Sequence, residues 1–240
     1  MEQLETLKAM VEESDYIVFF GGAGVSTESG VPDFRSQDGL YSQKYKYPPE
    51  VMLSYDFFMS NTAEFYEFHR NKMIHLDVKP NKAHLKLAQL EAQGKLKAVV
   101  TQNIDGLHQL AGSVNVLELH GSVLRNYCMK CRKSFEIATV TGSGGIPKCD
   151  VLDCNGTIKP DVVLYGEGLD SDTLEKAVGH ISRADMLIVG GTSLNVYPAA
   201  GLVNYYRGDR LALINMEATS YDNHADLIVR GKIGEVLGGV

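Results

Sequence analysis

The chain has 240 residues, 44% of them hydrophobic and 22% charged, which is enough to bury a sizeable core in one domain, with or without an insertion. Its net charge of −7 argues against a nucleic-acid-binding surface. No apolar run reaches the roughly 18 residues of a membrane span, and the charged N-terminal stretch lacks a signal-peptide core. We therefore expect a cytoplasmic protein that binds neither nucleic acid nor membrane.

Short apolar segments alternate with helical ones along most of the chain. Apolar residues recur at helical spacing over residues 4–11, and further helices are predicted over residues 84–92, stopping at Gly94, and over residues 173–181. The predicted strands are residues 16–20, 98–101, 116–119, 162–165, 186–189, 211–214 and 227–229. Continuously apolar strands separated by helices indicate an α/β fold with a buried parallel sheet that has helices on both faces.

Two stretches interrupt this alternation. Residues 37–79 are rich in Tyr, Phe and Met and look helical, and residues 121–159 carry all four cysteines with little periodicity. We interpret both as insertions. The predicted Rossmann-like large domain then comprises residues 1–36, 80–120 and 160–240. The predicted small domain combines the helical insert 37–79 with a zinc-binding module, 121–159.

A glycine-rich turn, residues 21–36 ("GGAGVSTESGVPDFRS"), follows the first predicted strand directly. Glycines let a backbone approach a pyrophosphate, and amides at a helix start favour its charge. The spacing of Gly22, Gly24 and Gly30 is not the G-x-G-x-x-G of hydride-transferring enzymes. On the glycines alone, a tight turn without a ligand explains the pattern equally well.

The whole stretch resembles the signature of the sirtuins, which are NAD-dependent protein-lysine deacylases. Five further segments resemble that family in the same order: "TQNIDGLH" (101–108), "LELHGS" (117–122), "KPDVVLYGE" (159–167), "GTSLNVYPAA" (191–200) and "INMEAT" (214–219). The resemblance implies that NAD, as a co-substrate, lies across the glycine turn.

The same resemblance implies which residues contact NAD. They are Gly22, Ala23, Gly24, Thr27, Phe34, Arg35, Gln102, Ile104, Asp105, His120, Thr192, Ser193, Asn215 and Ile233. Arg35 can donate a forked pair of hydrogen bonds to phosphate, and Phe34 can shield the reacting ribose carbon from water. The alternatives are a surface ion pair for Arg35, turn or cap roles for the polar residues, and core positions for Phe34 and Ile233.

His120 is the predicted catalytic base, and Asn103 is predicted to orient the ribose or a water. A histidine titrates near neutral pH and suits base catalysis. In sirtuins the acyl oxygen attacks the ribose carbon that bears nicotinamide, giving an O-alkylimidate, and the matching histidine activates a ribose hydroxyl. The products implied are free lysine, nicotinamide and O-acyl-ADP-ribose.

An acetylated-lysine peptide is the implied partner, lying between the domains as an added strand. Val163, Tyr165 and Val196 match family positions that line the tunnel for the acyl-lysine. The family usually has Phe where Leu164-Tyr165 stand here, which leaves the tunnel's width open.

The cysteines have the spacing of a metal site. Cys128 and Cys131 form a C-x-x-C pair, and Cys149 and Cys154 follow with four residues between them. Four thiolates can surround one tetrahedral zinc, closed to substrate and therefore structural. We expect one zinc per chain. Four unconnected thiols are the alternative, and the second spacing is wider than the two intervening residues common in sirtuins.

Some sirtuins bind succinyl or malonyl groups through a Tyr-x-x-Arg pair. Here Tyr66 is followed by His69, and Arg70 comes one residue late. Because one helical position turns the side chain by about 100°, Arg70 does not substitute, and we predict acetyl or neutral acyl chains as substrates. These residues could also be ordinary members of an amphipathic helix.

Protein deacetylation is thus the expected activity. Mono-ADP-ribosyl transfer and non-catalytic binding of NAD or ADP-ribose are the alternatives. The sequence leaves the oligomeric state open and is compatible with a monomer.

Overall fold

The computed structural model describes residues 2–34, 39–40 and 45–240. Two sheets are built from the strands within these residues. The strands are β1 (Ile17–Gly21), β2 (Leu96–Thr101), β3 (Val116–Glu118), β4 (Gly121–Cys128), β5 (Ser134–Glu136), β6 (Ile158–Val162), β7 (Met186–Gly190), β8 (Leu211–Asn215) and β9 (Leu227–Arg230). The larger sheet has the order β3-β2-β1-β7-β8-β9, and all its pairs are parallel.

Helices pack on both faces of the larger sheet, and others pack against the smaller sheet. They are α1 (Glu2–Glu13), α2 (Pro49–Met52), α3 (Tyr55–Ser60), α4 (Thr62–Lys72), α5 (Lys82–Ala92), α6 (Leu107–Leu110), α7 (Ile137–Thr141), α8 (Ser171–Arg183) and α9 (Ile233–Leu237). As predicted, the helix that contains residues 84–92 stops at Gly94, whose φ of 73° suits a glycine just past a helix end.

Each face of the large sheet has its own apolar core because side chains alternate along a strand. In β1, Ile17 and Phe19 pack with residues of α1, α5 and α9. Val18 and Phe20 point the other way and pack with residues of α8 and the segment 199–203. The predicted α/β fold, a buried parallel sheet with helices on both faces, is confirmed.

The smaller sheet is antiparallel, with β4 between β5 and β6. A third apolar core joins it to the helical segment α2–α4 and includes Phe58, Phe65 and Ile158. The helical prediction for the first insertion is therefore confirmed for the residues described.

One predicted strand is wrong in position and partner. Residues 162–165 were expected in the parallel sheet, but the strand is Ile158–Val162 and pairs antiparallel with β4. After Val162 the chain leaves β4, since Val163 N–H donates to His120 O and Tyr165 bridges to Ser54 instead. An apolar run does not reveal which strand will pair with it.

The strand order reverses between β1 and β7. From β1 the chain continues through β2 and β3 towards one edge of the sheet, and from β7 it continues through β8 and β9 towards the other. Open α/β sheets bind ligands in the crevice outside the carboxyl ends of the strands at such a point. The loops after β1, β2, β7 and β8 meet there.

Candidate active site

The glycines after β1 allow two loops to touch. Gly24 N–H donates to Gly191 O at 2.8 Å. A Cβ on Gly24 would stand 2.9 Å from Gly191 Cα, and one on Gly22 would stand 2.8 Å from Thr192 Cβ. The loop after β1 therefore packs backbone to backbone against the loop after β7. This close contact by itself requires glycine at positions 22 and 24, whether or not a ligand binds. It also places the glycine turn at the crevice.

Ser26 lies at the centre of the polar network in this turn. Its hydroxyl donates to Asp105 Oδ2 at 2.6 Å and accepts from Asn103 Nδ2 at 3.1 Å, and the residue is only 1% exposed. Asp105 Oδ1 also accepts from Leu107 N–H at 2.9 Å. The capping role considered for Asp105 is thus present, alongside its bond to Ser26.

Ser26 was missed in the sequence analysis. A small hydroxyl residue in a glycine turn is common, and only its partners from the loop after β2 mark it out. Thr101, the last residue of β2, is a second omission, because its Oγ1 accepts from Asn103 N–H at 3.0 Å.

His120 lies in the turn between β3 and β4. Its Nδ1 is 3.0 Å from Gln102 O, and a carbonyl only accepts, so Nδ1 carries the proton and Nε2 presents a lone pair. Burial lowers the pKa of His120, and the hydrogen bond to Gln102 opposes part of that shift. The lowered pKa favours the neutral imidazole, and the bond to Gln102 O favours the tautomer that can take up a proton at Nε2.

Gly121 makes the turn at His120 sharp. Its φ is 75°, and a Cβ there would stand 1.9 Å from Asp161 O. Glycine alone fits, since β4 and β6 meet directly at this position. His120 is thereby placed where the large sheet continues into the small one.

An amide side chain ties together the ends of two neighbouring strands, β7 and β8, on one side of the crevice. Asn215 Oδ1 accepts from Thr192 N–H at 3.1 Å, and Asn215 Nδ2 donates to Thr192 O at 3.0 Å. Thr192 Oγ1 donates to Gln102 Oε1 at 3.4 Å. Gln102 Nε2 is buried and lacks a hydrogen-bond partner among the described residues. A ligand with a free acceptor would satisfy it, so the crevice fits a polar ligand.

The remaining predicted NAD residues differ in position. Ala23 is half-buried, whereas Thr27 and Ser193 are exposed. Phe34 and Ile104 are half-buried and pack against the third core, which joins the small sheet to the helical segment α2–α4. Arg35 lies outside the described residues.

Ile233 is a core residue of α9, only 3% exposed. A Cβ on Gly190, at the end of β7, would stand 2.3 Å from Ile233 Cδ1. Ile233 therefore occupies a core position, which was the alternative considered for it, and this position lies next to the end of β7 at the crevice.

The predicted substrate residues lie on two segments. Val163 and Tyr165 follow β6, the first half-buried and the second 42% exposed. Val196 lies in the loop after β7 and is half-buried. Val163 is joined directly to the turn at His120, because its N–H donates to His120 O at 3.0 Å.

Tyr66 and His69 are buried in the third core, 0% and 1% exposed. The Tyr66 hydroxyl donates to Ile158 O, and the His69 ring stacks on Phe65 with centroids 5.4 Å apart. Burial lowers the pKa of His69 to about 3, helped by the charges of Arg70 and Lys159. Both side chains therefore act as core residues.

Arg70 donates hydrogen bonds to α7 and to the loop that follows it. Its Nε donates to Val140 O at 2.8 Å, and its terminal nitrogen donates to Ser143 Oγ and to Gly145 O. The guanidinium is thus already used within the protein.

The four cysteines form a cluster whose sulfurs all lie within 4.8 Å of one another. Cys128 and Cys154 are 3.6 Å apart, as are Cys131 and Cys149. Four sulfurs bound at about 2.3 Å to one tetrahedral ion would stand about 3.8 Å apart. A disulfide needs about 2.05 Å, and all four thiols are free. The cluster fits a zinc ion.

Backbone groups prepare one of these thiols to bind a metal. Burial by itself raises the pKa of Cys128, but N–H groups of Cys131 and Lys130 donated to its sulfur lower the pKa to about 6. The thiolate, which is the metal-binding form, is therefore favoured at Cys128, whereas burial raises the pKa of Cys149 to about 12.

Helices long and apolar enough to cross a membrane do not occur among the residues described.

Comparison with known proteins gives a consistent result. Residues 22–198 match the model of the Sir2 family. A relative from Clostridium acetobutylicum, named NAD-dependent protein deacetylase, is 62% identical over 240 residues, which is 99% of this chain and 97% of that protein. A relative of the same name from Clostridium tetani is 55% identical over 243 residues, covering 100% and 98%.

Solved structures agree at the level of the fold. A Sir2 variant with a deacetylated p53 peptide and 3′-O-acetyl ADP ribose has a TM-score of 0.90 at 41% identity, covering 99% of this chain and 96% of its own. Sir2 bound to acetylated peptide has a TM-score of 0.86 at 40% identity, covering 98% and 95%. The resemblance noted in the motifs is confirmed, and this chain belongs to the Sir2 family.

Proposed function

We propose that this protein is an NAD-dependent protein-lysine deacetylase that yields nicotinamide, O-acetyl-ADP-ribose and free lysine. The observation that carries the proposal is the geometry of His120, whose Nδ1 is 3.0 Å from Gln102 O, so that Nε2 can take up a proton beside the end of β2. The names of the relatives and the acetylated peptide on a Sir2 structure support it.

The proposed roles follow from where the residues lie. His120 Nε2 takes a proton from a ribose hydroxyl, as a general base, and Asn103 orients the ribose or a water. When bound, NAD supplies the sugar carbon that loses nicotinamide and accepts the acyl oxygen. Ser26 keeps Asn103 and Asp105 in place through its two hydrogen bonds.

NAD is proposed to lie from the glycine turn to the loop after β8. The residues that would hold it are Gly22, Ala23, Gly24, Thr27, Phe34, Arg35, Gln102, Ile104, Asp105, Thr192, Ser193, Asn215 and Ile233. The unpaired Gln102 Nε2 and the convergence of four strand ends support this placement.

The cysteine cluster is proposed to hold one structural zinc per chain. The division into a large domain and a small domain, with the boundaries given above, remains our proposal. We also propose a cytoplasmic location, because thiols stay reduced there.

Acetylated lysine on a protein or peptide is the proposed substrate, entering between Val163, Tyr165 and Val196. Acetyl or neutral acyl chains are expected over succinyl chains, because Tyr66 and His69 are buried and Arg70 is bound to α7 and to the loop after it. No free cation from these three residues is left to bind a second carboxylate.

The test is mass spectrometry of the products from NAD and an acetyl-lysine peptide, with a succinyl-lysine peptide of the same sequence as the control. We expect free lysine peptide and O-acetyl-ADP-ribose in equal amounts, and a lower specificity constant for the succinyl peptide. ADP-ribose bound to protein would favour ADP-ribosyl transfer instead. Release of nicotinamide without dependence on acetyl peptide would contradict the proposal.

A further inference from the structure

Lys159 is a buried lysine in the described part of the chain. It lies on β6 and is 2% exposed. Its Nζ is 2.9 Å from Glu167 Oε2 and donates to Val162 O at 2.9 Å and to Pro160 O at 3.3 Å. A buried charge is costly unless it is paired and hydrogen-bonded, and Glu167 supplies the pairing charge.

Glu167 closes a tight turn over residues 164–167. Its N–H donates to Leu164 O at 2.9 Å, and its carboxylate accepts from Leu164 N–H at 2.9 Å. Gly166 has a φ of 95°, which is the conformation that a type II turn requires at its third position. The carboxylate held by Lys159 therefore also holds the backbone of the turn.

Tyr165 is the second residue of this turn, and its backbone is bound on both sides. Tyr165 N–H donates to Leu53 O at 3.0 Å, and Tyr165 O accepts from Tyr55 N–H at 2.9 Å. Together with the bond from Val163 to His120, these contacts hold the segment between the catalytic turn and the helical insertion. The Lys159–Glu167 pair connects the other end of this segment to β6, because Lys159 lies on that strand.

A buried ion pair adds little net stability, because desolvation offsets most of the attraction. What this pair does provide is a defined geometry: a carboxylate with one oxygen shared between an ammonium and a backbone N–H. We propose that Lys159 and Glu167 are positioning residues that set the Val163–Tyr165 segment for the acyl-lysine chain. The proposal rests on the proposed function, because it takes this segment as the substrate wall.

The experiment compares Glu167→Gln and Glu167→Leu in the full-length protein. Gln keeps an oxygen for Leu164 N–H but loses the charge, whereas Leu loses both. We expect KM for the acetyl-lysine peptide to rise about tenfold in Glu167→Leu and less in Glu167→Gln, while KM for NAD stays within about twofold. Lys159→Met should resemble Glu167→Gln, because it removes the charge pair but keeps the carboxylate that accepts from Leu164 N–H.

Asp161→Asn is the matched control. Asp161 lies on the same strand and pairs with Arg125 at 2.9 Å, but both side chains are about half exposed. Removing its charge should leave both KM values unchanged, since exposed pairs contribute little. Circular dichroism and thermal unfolding establish that each variant is folded.

The outcomes separate the two proposals. Wild-type protein without acetyl-peptide-dependent nicotinamide release would contradict the proposed function. If the wild type has that activity and Glu167→Gln and Glu167→Leu keep its peptide KM, only the positioning role is wrong. Equal rises in both KM values would also overturn it, because the pair would then support the fold as a whole.

Discussion

The six-stranded sheet and the three-stranded sheet are stabilised in different ways. The larger sheet is covered on both faces by apolar side chains from helices. The smaller sheet has one apolar core, a cluster of four cysteines and buried polar side chains on its strands, Ser122, Asn126 and Lys159. Apolar burial is non-directional, whereas thiolates, ion pairs and hydrogen bonds demand defined geometry.

The candidate active site lies where these two regions meet. His120 is in the turn that leaves the large sheet and enters the small one, and Phe34 and Ile104 pack on the small side. The crevice thus has one wall from a region with a broad apolar core and one from a region held by specific bonds. Breaking either region should have a distinct effect.

The largest expected effect comes from the cysteine cluster. Cys128→Ser should remove the zinc and unfold residues 121–162, because structural zinc sites supply about 10–16 kcal/mol of apparent binding free energy. Hydrogen exchange should show rapid exchange in β4–β6 while β1 and β7 remain protected. Metal analysis should fall from one zinc per chain.

Ser134→Ala, on the exposed strand β5, is the matched control and should keep the metal. If Cys128→Ser kept one zinc per chain, or if hydrogen exchange in β4–β6 were unchanged, the proposed structural role of the metal would be wrong.

His120→Ala should lower kcat by about 10²–10⁴-fold, the usual contribution of a positioned general base. The fold should be retained, since the ring makes one hydrogen bond, to Gln102 O. Steady-state kinetics with acetyl peptide measures the loss, and His224→Ala, on an exposed residue, is the control. An undiminished rate in His120→Ala would exclude the residue from the chemistry.

Leu87→Ala tests the large sheet. Leu87 is fully buried on α5, so the truncation should lower the free energy of unfolding by about 2–5 kcal/mol. Zinc content should stay at the wild-type value. Urea unfolding gives the stability change, with Leu152→Ala at 88% exposure expected within about 0.5 kcal/mol of wild type.

If Leu87→Ala released the zinc as readily as Cys128→Ser, the two regions would unfold as one unit. The contrast between them would then be wrong.

The smallest effect concerns pH. The pKa of His69 is lowered by burial to about 3, against about 6.5 in an unfolded chain. The unfolded state therefore binds more protons below pH 6.5, and stability falls as the pH drops towards 3, by about 1.4 kcal/mol per pH unit for this histidine. Above pH 6.5 this histidine is neutral in both the folded and the unfolded state, so it no longer lowers the free energy of unfolding.

His69→Leu should remove that share of the slope. Urea unfolding at pH 7 and pH 5 measures it, with His75→Leu, a half-buried histidine on the same insertion, as the comparison. Equal slopes in wild type and His69→Leu would show that this ring does not stay neutral on folding.

Local patterns predicted most of the parallel strands because they are unbroken apolar runs between turns, as a strand buried on both faces has to be. The edge strand β3, which contains Glu118, is the exception. The cysteine cluster could also be predicted from the sequence, since C-x-x-C spacing is typical of cysteines that bind one metal ion. The segment after β6 was misassigned for the opposite reason: its apolar letters are the same whether it pairs with a parallel strand or turns away towards Ser54.

Ser26 and the Lys159–Glu167 pair could not be identified in the sequence. Ser26 is 77 residues from Asn103 and 79 from Asp105, and no local pattern joins them. Lys159 looks like a solvated charge until burial is known. The motifs drew attention to Gly22 and Gly24, but the loop that they touch, after β7, emerged only from the packing.

The sequence by itself determined the fold class, the family and the residues that could form a metal site, because periodicity and motif spacing are properties of the chain alone. Only the tertiary structure decided which polar groups meet at the crevice, that Tyr66 and His69 are buried, and that a buried lysine pairs with the glutamate of the turn after β6. Those facts depend on contacts between residues far apart in the chain, and burial decides whether such a contact is costly, neutral or functional.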